Sequence, residues 1–144
     1  MTMQKPSGVL VAASLGLAIS FGCAARLTRR QSADIARKAC PTGHEFEEVG
    51  TLEVPVLRGA MKVRYGDGET RPLPDAVVHL TRVSDSNVFS VRTNQDGLFS
   101  FDQLPNGTYR MVVCAEGFVT LESTVLVNHR AKPRTADLQT RLDW

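Results

Sequence analysis

The run Thr93–Tyr109 (TNQDGLFSFDQLPNGTY) constrains the fold of this chain more than any other stretch. It reads as strand end, tight turn, short strand, second tight turn and next strand. Asp96-Gly97 and Asn106-Gly107 are strong turn dipeptides, because glycine takes positive φ freely and Asp or Asn tolerates it. Between them Phe99 and Phe101 share one face of a strand while Ser100 and Asp102 share the other. Turn geometry accounts for Asp96 and Asn106 without any ligand.

The same two-residue rhythm extends in both directions. Val56–Arg64 places Leu57, Gly59, Met61 and Val63 on one face, and Gly66-Asp67-Gly68 breaks it. A polar loop follows through Arg71-Pro72-Leu73-Pro74-Asp75. Ala76–Val83 alternates Ala76, Val78 and Leu80 against Val77, His79 and Thr81. Val88–Thr93, the Phe99 strand, Thr108–Glu116, Phe118–Val127 and a last edge strand over Ala136–Leu142 complete the set. Seven short strands punctuated by turns predict an all-β fold, a seven-stranded antiparallel Greek-key β-sandwich over residues 55–144. About 90 residues suffice for such a core, which Phe89, Phe99, Phe101, Tyr109 and Phe118 should dominate.

Residues 1–22 have the layout of a signal peptide: Lys5, then an uncharged apolar run from Gly8 to Gly22, then Cys23-Ala24-Ala25. Cysteine at the end of such a run resembles the lipobox of bacterial lipoproteins, where it becomes the lipidated first residue. Gly22 suits that pattern, whereas Ser20 stands in place of an aliphatic residue and Phe21 is bulky. Ala24 resembles the second residue of lipoproteins sent to the outer membrane. Two alternatives stay open: a conventionally cleaved export signal, and an uncleaved anchor, for which the run is short of the roughly 20 residues that span a bilayer. Arg26, Arg29 and Arg30 directly after the run sit awkwardly with export.

Residues 23–54 form a tether and lead-in. Arg26, Arg29, Arg30, Arg37 and Lys38 make its first part basic, and its plain reading is a solvated tether, with contact to anionic headgroups as a by-product. A short helix over Ala33–Ala39 is expected, capped by Ser32, then an extended stretch with at most one short strand. The chain's formal charge of +2 argues against a dedicated nucleic-acid binder.

If Cys23 carries lipid, Cys40 and Cys114 are left as an even pair in an oxidising compartment. On the Thr108–Glu116 strand, Tyr109, Met111, Val113 and Ala115 share one face. Arg110, Val112 and Cys114 fall on the other, and its apolar part near Cys114 requires a cover. The segment around Cys40 is a plausible cover, pinned by a Cys40–Cys114 bridge; the alternative is a free buried Cys114 with Cys40 loose.

Four pieces stand in order: Pro72-Leu73-Pro74-Asp75-Ala76-Val77-Val78-His79-Leu80, Thr93–Phe101, Leu104–Tyr109 and Ala115-Glu116-Gly117-Phe118. Together they resemble carboxypeptidase regulatory-like domains, transthyretin-like sandwiches akin to Cna-B repeats and to the carbohydrate-binding-like fold. The resemblance covers roughly residues 55–130. It implies an accessory module, found in such families beside peptidases, in outer-membrane receptors and in surface proteins, commonly without catalysis of its own.

Chemistry has few footholds. His44, His79 and His129 are the only imidazoles, and no two lie at metal-ligand spacing, so no metal or other cofactor is expected. His79 reads as a half-exposed sheet residue and His129 as a loop residue. Transthyretin-like hydrolases of a purine-breakdown intermediate end in Tyr-Arg-Gly-Ser, but this chain ends Arg141-Leu142-Asp143-Trp144. Intradiol dioxygenases use two Tyr and two His for iron, yet Tyr109 belongs to the core here. Sugar stacking would have Tyr65, Phe46 and Trp144 to use. The loop Tyr65–Asp75, with Asp67, Glu69 and Arg71, is the most exposed polar stretch and the first candidate contact surface; its carboxylates lack an ordered calcium spacing.

The expectation is therefore a non-catalytic module of the cell envelope, lipid-anchored through Cys23 and facing the periplasm or outer-membrane surface. Its partner would be another envelope protein. The alternative is a carbohydrate-binding module for cell-wall glycan or polysaccharide.

Overall fold

Alternation of small or apolar residues with polar ones builds the first layer. Arg58–Arg64 (β3) buries Gly59, Met61 and Val63 and turns Arg58 and Arg64 to solvent. The computed structural model describes residues 39–40 and 45–142; Cys23, the apolar run before it, the basic tether, the expected Ala33–Ala39 helix, His44 and Trp144 lie outside the described residues, Ala39 apart.

Ten strands form among the described residues, three more than the sequence pattern predicts. Before β3 come Phe46–Glu48 (β1) and Leu52–Val54 (β2), and after it Thr70–Pro72 (β4), Val77–Arg82 (β5), Val88–Arg92 (β6), Leu98–Ser100 (β7), Gly107–Cys114 (β8), Thr120–Val127 (β9) and Ala136–Thr140 (β10). One sheet has the order β1-β9-β8-β5-β6, with β2 also on β9; the other has the order β10-β3-β4, with β7 also on β3. Thus β4 and β7 lie end to end along one edge of β3, β7 against Arg58–Ala60 and β4 against Lys62–Arg64.

The sheets are mixed rather than purely antiparallel. β1 and β2 both run parallel to β9, and β10 runs parallel to β3. Each of these pairs joins segments far apart in the chain, which is the condition for parallel pairing, since a tight turn can only reverse direction. The lead-in therefore supplies two strands, where at most one is expected from its pattern.

Between the sheets lies the core, with Met61 and Val63 from one layer against Val78, Leu80, Tyr109 and Met111 from the other. Of the expected aromatics, Phe99, Phe101 and Tyr109 are buried, whereas Phe89 and Phe118 are half-buried against the core. The Tyr109 hydroxyl donates to the Pro105 carbonyl at 2.7 Å, so a buried phenol keeps its hydrogen bond. Burial raises the Tyr109 pKa above its ordinary 10.0; the nearby Arg82 charge opposes that and Asp85 adds to it.

Both turns of the Thr93–Tyr109 stretch form, the first with Gly97 at positive φ as expected and each with a further residue that the sequence pattern does not single out. At the first, Asn94 Oδ1 accepts from the backbone N–H groups of Asp96 and Leu98, both at 2.9 Å. Gly97 has φ +72°, and a Cβ there would sit 2.5 Å from the Met61 carbonyl oxygen. That oxygen accepts from Leu73 N, and Gly97 O accepts from Met61 N, so Gly97 fills the seam between β4 and β7. At the second turn, Gln103 takes the left-handed conformation, φ 60°.

Thr93, buried at the end of β6, ties the turn to the segment before β5. Its hydroxyl donates to Leu73 O at 2.7 Å and accepts from Ala76 N at 2.9 Å.

Candidate functional site

The loop singled out by sequence closes as the β3–β4 hairpin. Tyr65 N donates to Glu69 O, Gly68 N to Tyr65 O, and Asp67 Oδ1 accepts from Glu69 N at 2.9 Å. Arg71 pairs with Glu69 at 3.0 Å and lays its guanidinium 5.2 Å from the centre of the Tyr65 ring. The structure thus brings Tyr65, Asp67, Glu69 and Arg71 together, with their polar groups turned largely on one another. Such an exposed ion pair contributes well under 1 kcal/mol to stability. The Tyr65 ring also packs on the core, so one face holds arginine and much of the rest is covered.

A second region lies on the outer face of the larger sheet, where β8, β9, β5 and β6 present Arg110, Val112 and Cys114, Glu122 and Thr124, His79, and Ser90. Facing pairs place His79 opposite both Val112 and Ser90, and Val77 opposite Cys114. Cys40 is joined to Cys114 by a disulfide, with Cα atoms 6.0 Å apart, and with Ala39 it packs against Val112. Val112 is fully buried. The apolar patch on β8 is covered by the segment that carries Cys40.

His79 reaches into that cover. Its Nδ1 lies 2.6 Å from Ser90 Oγ, and the ring also hydrogen-bonds the Ala39 backbone. Burial lowers the His79 pKa, and the Ala39 bond works the other way. A ring nitrogen of His79 and the sulfurs of Cys40 and Cys114 all lie within 4.8 Å of one another. Spacing along the chain hides this cluster, because β5, β8 and the lead-in contribute one residue each; the even cysteine pair was its one legible sign.

Beside the disulfide opens a cleft of about 460 Å³ between the Leu73–Asp75 segment, the Ala115–Phe118 turn and Cys40, with Arg92 and Glu116 among its charged lining residues. Farther along the same face, Arg110 donates to Glu122 at 2.6 Å and to Thr124 at 3.2 Å, and both members of the ion pair are about nine-tenths buried. Removing either charge would strand the other away from water, so this pair fixes β8 against β9 and is not free for a ligand.

His129 is a clamp. Its ring lies 2.9 Å from the Leu104 carbonyl, and its backbone N–H donates to Asn106 Oδ1 at 3.0 Å, binding the Asn128–Ala131 loop to the second turn.

Among the described residues, one edge of the larger sheet is open, and β6 pairs only with β5. The bonds from Arg82 N to Asn87 O and from Thr93 N to Ala76 O set the phase of that ladder. By the antiparallel alternation, the backbone groups of Phe89 and Val91 face β5, and those of Val88, Ser90 and Arg92 face outward. Val88 is 63% exposed and Leu98, on the other sheet, is 48% exposed.

A family model described as carboxypeptidase regulatory-like domain matches residues 62–141. No curated protein matches the chain in sequence. Among solved structures, the chain is similar to a protein from Pseudomonas aeruginosa described as a proposed carbohydrate-binding protein, with 18% identity, 61% of this chain and 89% of that one covered, and a TM-score of 0.48. It is also similar to the TIE protein of Bacillus anthracis, with 19% identity, 60% and 17% covered, and a TM-score of 0.45. A third similar structure is 3-chlorocatechol 1,2-dioxygenase from Rhodococcus opacus, with 10% identity, 69% and 68% covered, and a TM-score of 0.40.

Proposed function

Because the chain belongs to the carboxypeptidase regulatory-like domain family, we propose that it is a non-catalytic β-sandwich module of the cell envelope, anchored through Cys23, that works by binding another envelope protein. The observation that carries this reading is the open β6 edge, where Val88, Ser90 and Arg92 turn backbone donors and acceptors outward. An unpaired edge accepts an extended segment as one more strand, with main-chain bonds giving affinity and side-chain pockets giving specificity. Exposed Val88 offers the incoming strand an apolar neighbour. Buried polar side chains such as Thr93, Arg110 and Glu122 serve the scaffold, which supports binding over chemistry.

The test is capture from solubilised envelope by wild type and by Val88→Pro. Proline at the start of an edge strand, with its missing N–H on the solvent side, is tolerated by the sheet and blocks strand addition. The expected result is a captured partner that Val88→Pro, folded by circular dichroism, fails to hold. Equal capture by both would overturn the edge reading. A parallel glycan array separates the carbohydrate alternative: sugar binding lost on Tyr65→Ala, with no protein partner, would replace the proposal. The anchoring part fails if Cys23→Ser leaves membrane association and lipid labelling unchanged.

A further inference from the structure

We propose that Cys40, His79 and Cys114 form a redox-gated site for a single thiophilic d10 cation, closed while the disulfide is intact and opened by its reduction. Two sulfurs and one imidazole nitrogen are a ligand set that zinc and copper(I) favour over hard cations. The three atoms already lie within 4.8 Å of one another. Tetrahedral zinc, with Zn–S about 2.3 Å and Zn–N about 2.0–2.1 Å, needs ligand separations of roughly 3.5–3.8 Å. Reduction lets the sulfurs part to that spacing by side-chain rotation.

The chemistry balances with one named co-reactant. An external dithiol passes two electrons and two protons to the Cys40–Cys114 bond and becomes a disulfide itself. The S–S bond breaks and two thiols form; the cation then displaces both thiol protons. Until that happens neither sulfur is a thiolate, and the site has no charge to offer.

Three features of the fold keep the ligands in place after reduction. Cys114 and His79 stand on β8 and β5, which pair directly over Val77–Arg82. Cys40 is held close by a short leash, because Glu45, five residues on, has its carbonyl bonded to Thr120 N on β9. A leash of that length keeps the Cys40 thiol near the other two at an effective concentration of order millimolar. Ser90 Oγ, 2.6 Å from His79 Nδ1, orients the ring. A serine hydroxyl accepts from Nδ1–H as readily as it donates to Nδ1, so it supports the tautomer whose other nitrogen has a lone pair for the cation, once the ring gives up its bond to the Ala39 backbone. The cleft lined by Cys40, Cys114, Asp75 and Glu116 gives the ion a route in and leaves room for water as a fourth ligand.

The experiment uses the full chain with Cys23→Ser, so that no third thiol competes. Protein reduced under anaerobic conditions and desalted is titrated with zinc against a chromophoric chelator, and with copper(I) against bicinchoninate. Expected are one ion per reduced chain, none per oxidised chain, loss of binding in Cys114→Ser, and at least a tenfold weaker affinity in His79→Ala. Reduced protein that takes up neither ion overturns the proposal, as does reduced protein that has lost its β-sheet circular dichroism. Unchanged affinity in His79→Ala would equally overturn it, by showing a dithiol acting without the histidine.

Discussion

Replacing Thr93 with valine exchanges one hydroxyl for a methyl of nearly the same shape, in a residue only 3% exposed. Two groups lose their partner at once: Ala76 N–H, 2.9 Å from the hydroxyl, and the Leu73 carbonyl, 2.7 Å from it. Ala76 is fully buried, so no water replaces the bond to its N–H. Orphaning a buried polar group costs about 1–3 kcal/mol, less for a carbonyl than for an N–H, which puts Thr93→Val at about 2–4 kcal/mol of lost stability. Valine has high strand propensity, so the backbone adds nothing to that loss. In urea unfolding, with a slope of about 1.5 kcal/mol per M, the midpoint should fall by about 1.3–2.7 M at constant slope. Thr93→Ser keeps the hydroxyl and should lose about 1 kcal/mol or less, the worth of one buried methyl. A midpoint shift below about 0.4 M for Thr93→Val, equivalent to about 0.6 kcal/mol on that slope, would refute the idea that this hydroxyl latches β6 to the segment before β5.

Reduction of the Cys40–Cys114 bridge, which spans a sequence separation of 74, should cost about 4.4 kcal/mol by loop-closure entropy, read as a drop in urea midpoint on adding dithiothreitol. Cys40→Ser should show the same drop without reductant, and no drop in either would contradict the bridge. Gly97→Ala meets both left-handed strain and the Met61 carbonyl, whereas Gly68→Ala, at φ +89°, meets open space. The first should destabilise by at least about 2 kcal/mol more than the second, and equal thermal shifts would dismiss the packing argument. Tyr109→Phe should lose about 1 kcal/mol at neutral pH with its bond to Pro105. Because burial raises the Tyr109 pKa, the folded state holds a proton that the unfolded state releases. Its contribution is complete below pH 10.0 and is lost as pH rises through the higher folded value, so wild-type stability should fall more steeply above that pH than that of Tyr109→Phe.

What could be read from the sequence was what side-chain alternation reports. Ala76, Val78 and Leu80, or Phe99 and Phe101, point inward because a half-buried strand must alternate, and they are buried in the structure. β1 and β4 were not legible because every one of their residues is exposed, which leaves no period to detect. Their positions come from backbone pairing instead, Phe46 with Thr120 and Arg71 with Val63. From the sequence Thr93 is no more than the end of a strand, since composition gives no sign that a threonine hydroxyl is enclosed by two backbone partners. Asp96 drew attention beside its glycine, yet Asn94 caps the turn, and only the hydrogen bonds separate those roles. The His79 cluster was hidden for a different reason: three elements meet there, and none shows the others in its own pattern.

The junction of Cys40 with Cys114 also decides how the molecule bears mechanical load. Tension applied to the chain ahead of Cys40 enters the sheet at Cys114 on β8, a strand hydrogen-bonded on both sides by β5 and β9. Extracting it means shearing two ladders together. With the bridge reduced, the same tension arrives at β1, three residues long and held along one side by β9. A strand like that peels one rung at a time, so a single covalent bond sets whether a tug on the amino-terminal segment is resisted by the whole sheet or unravels it from its margin.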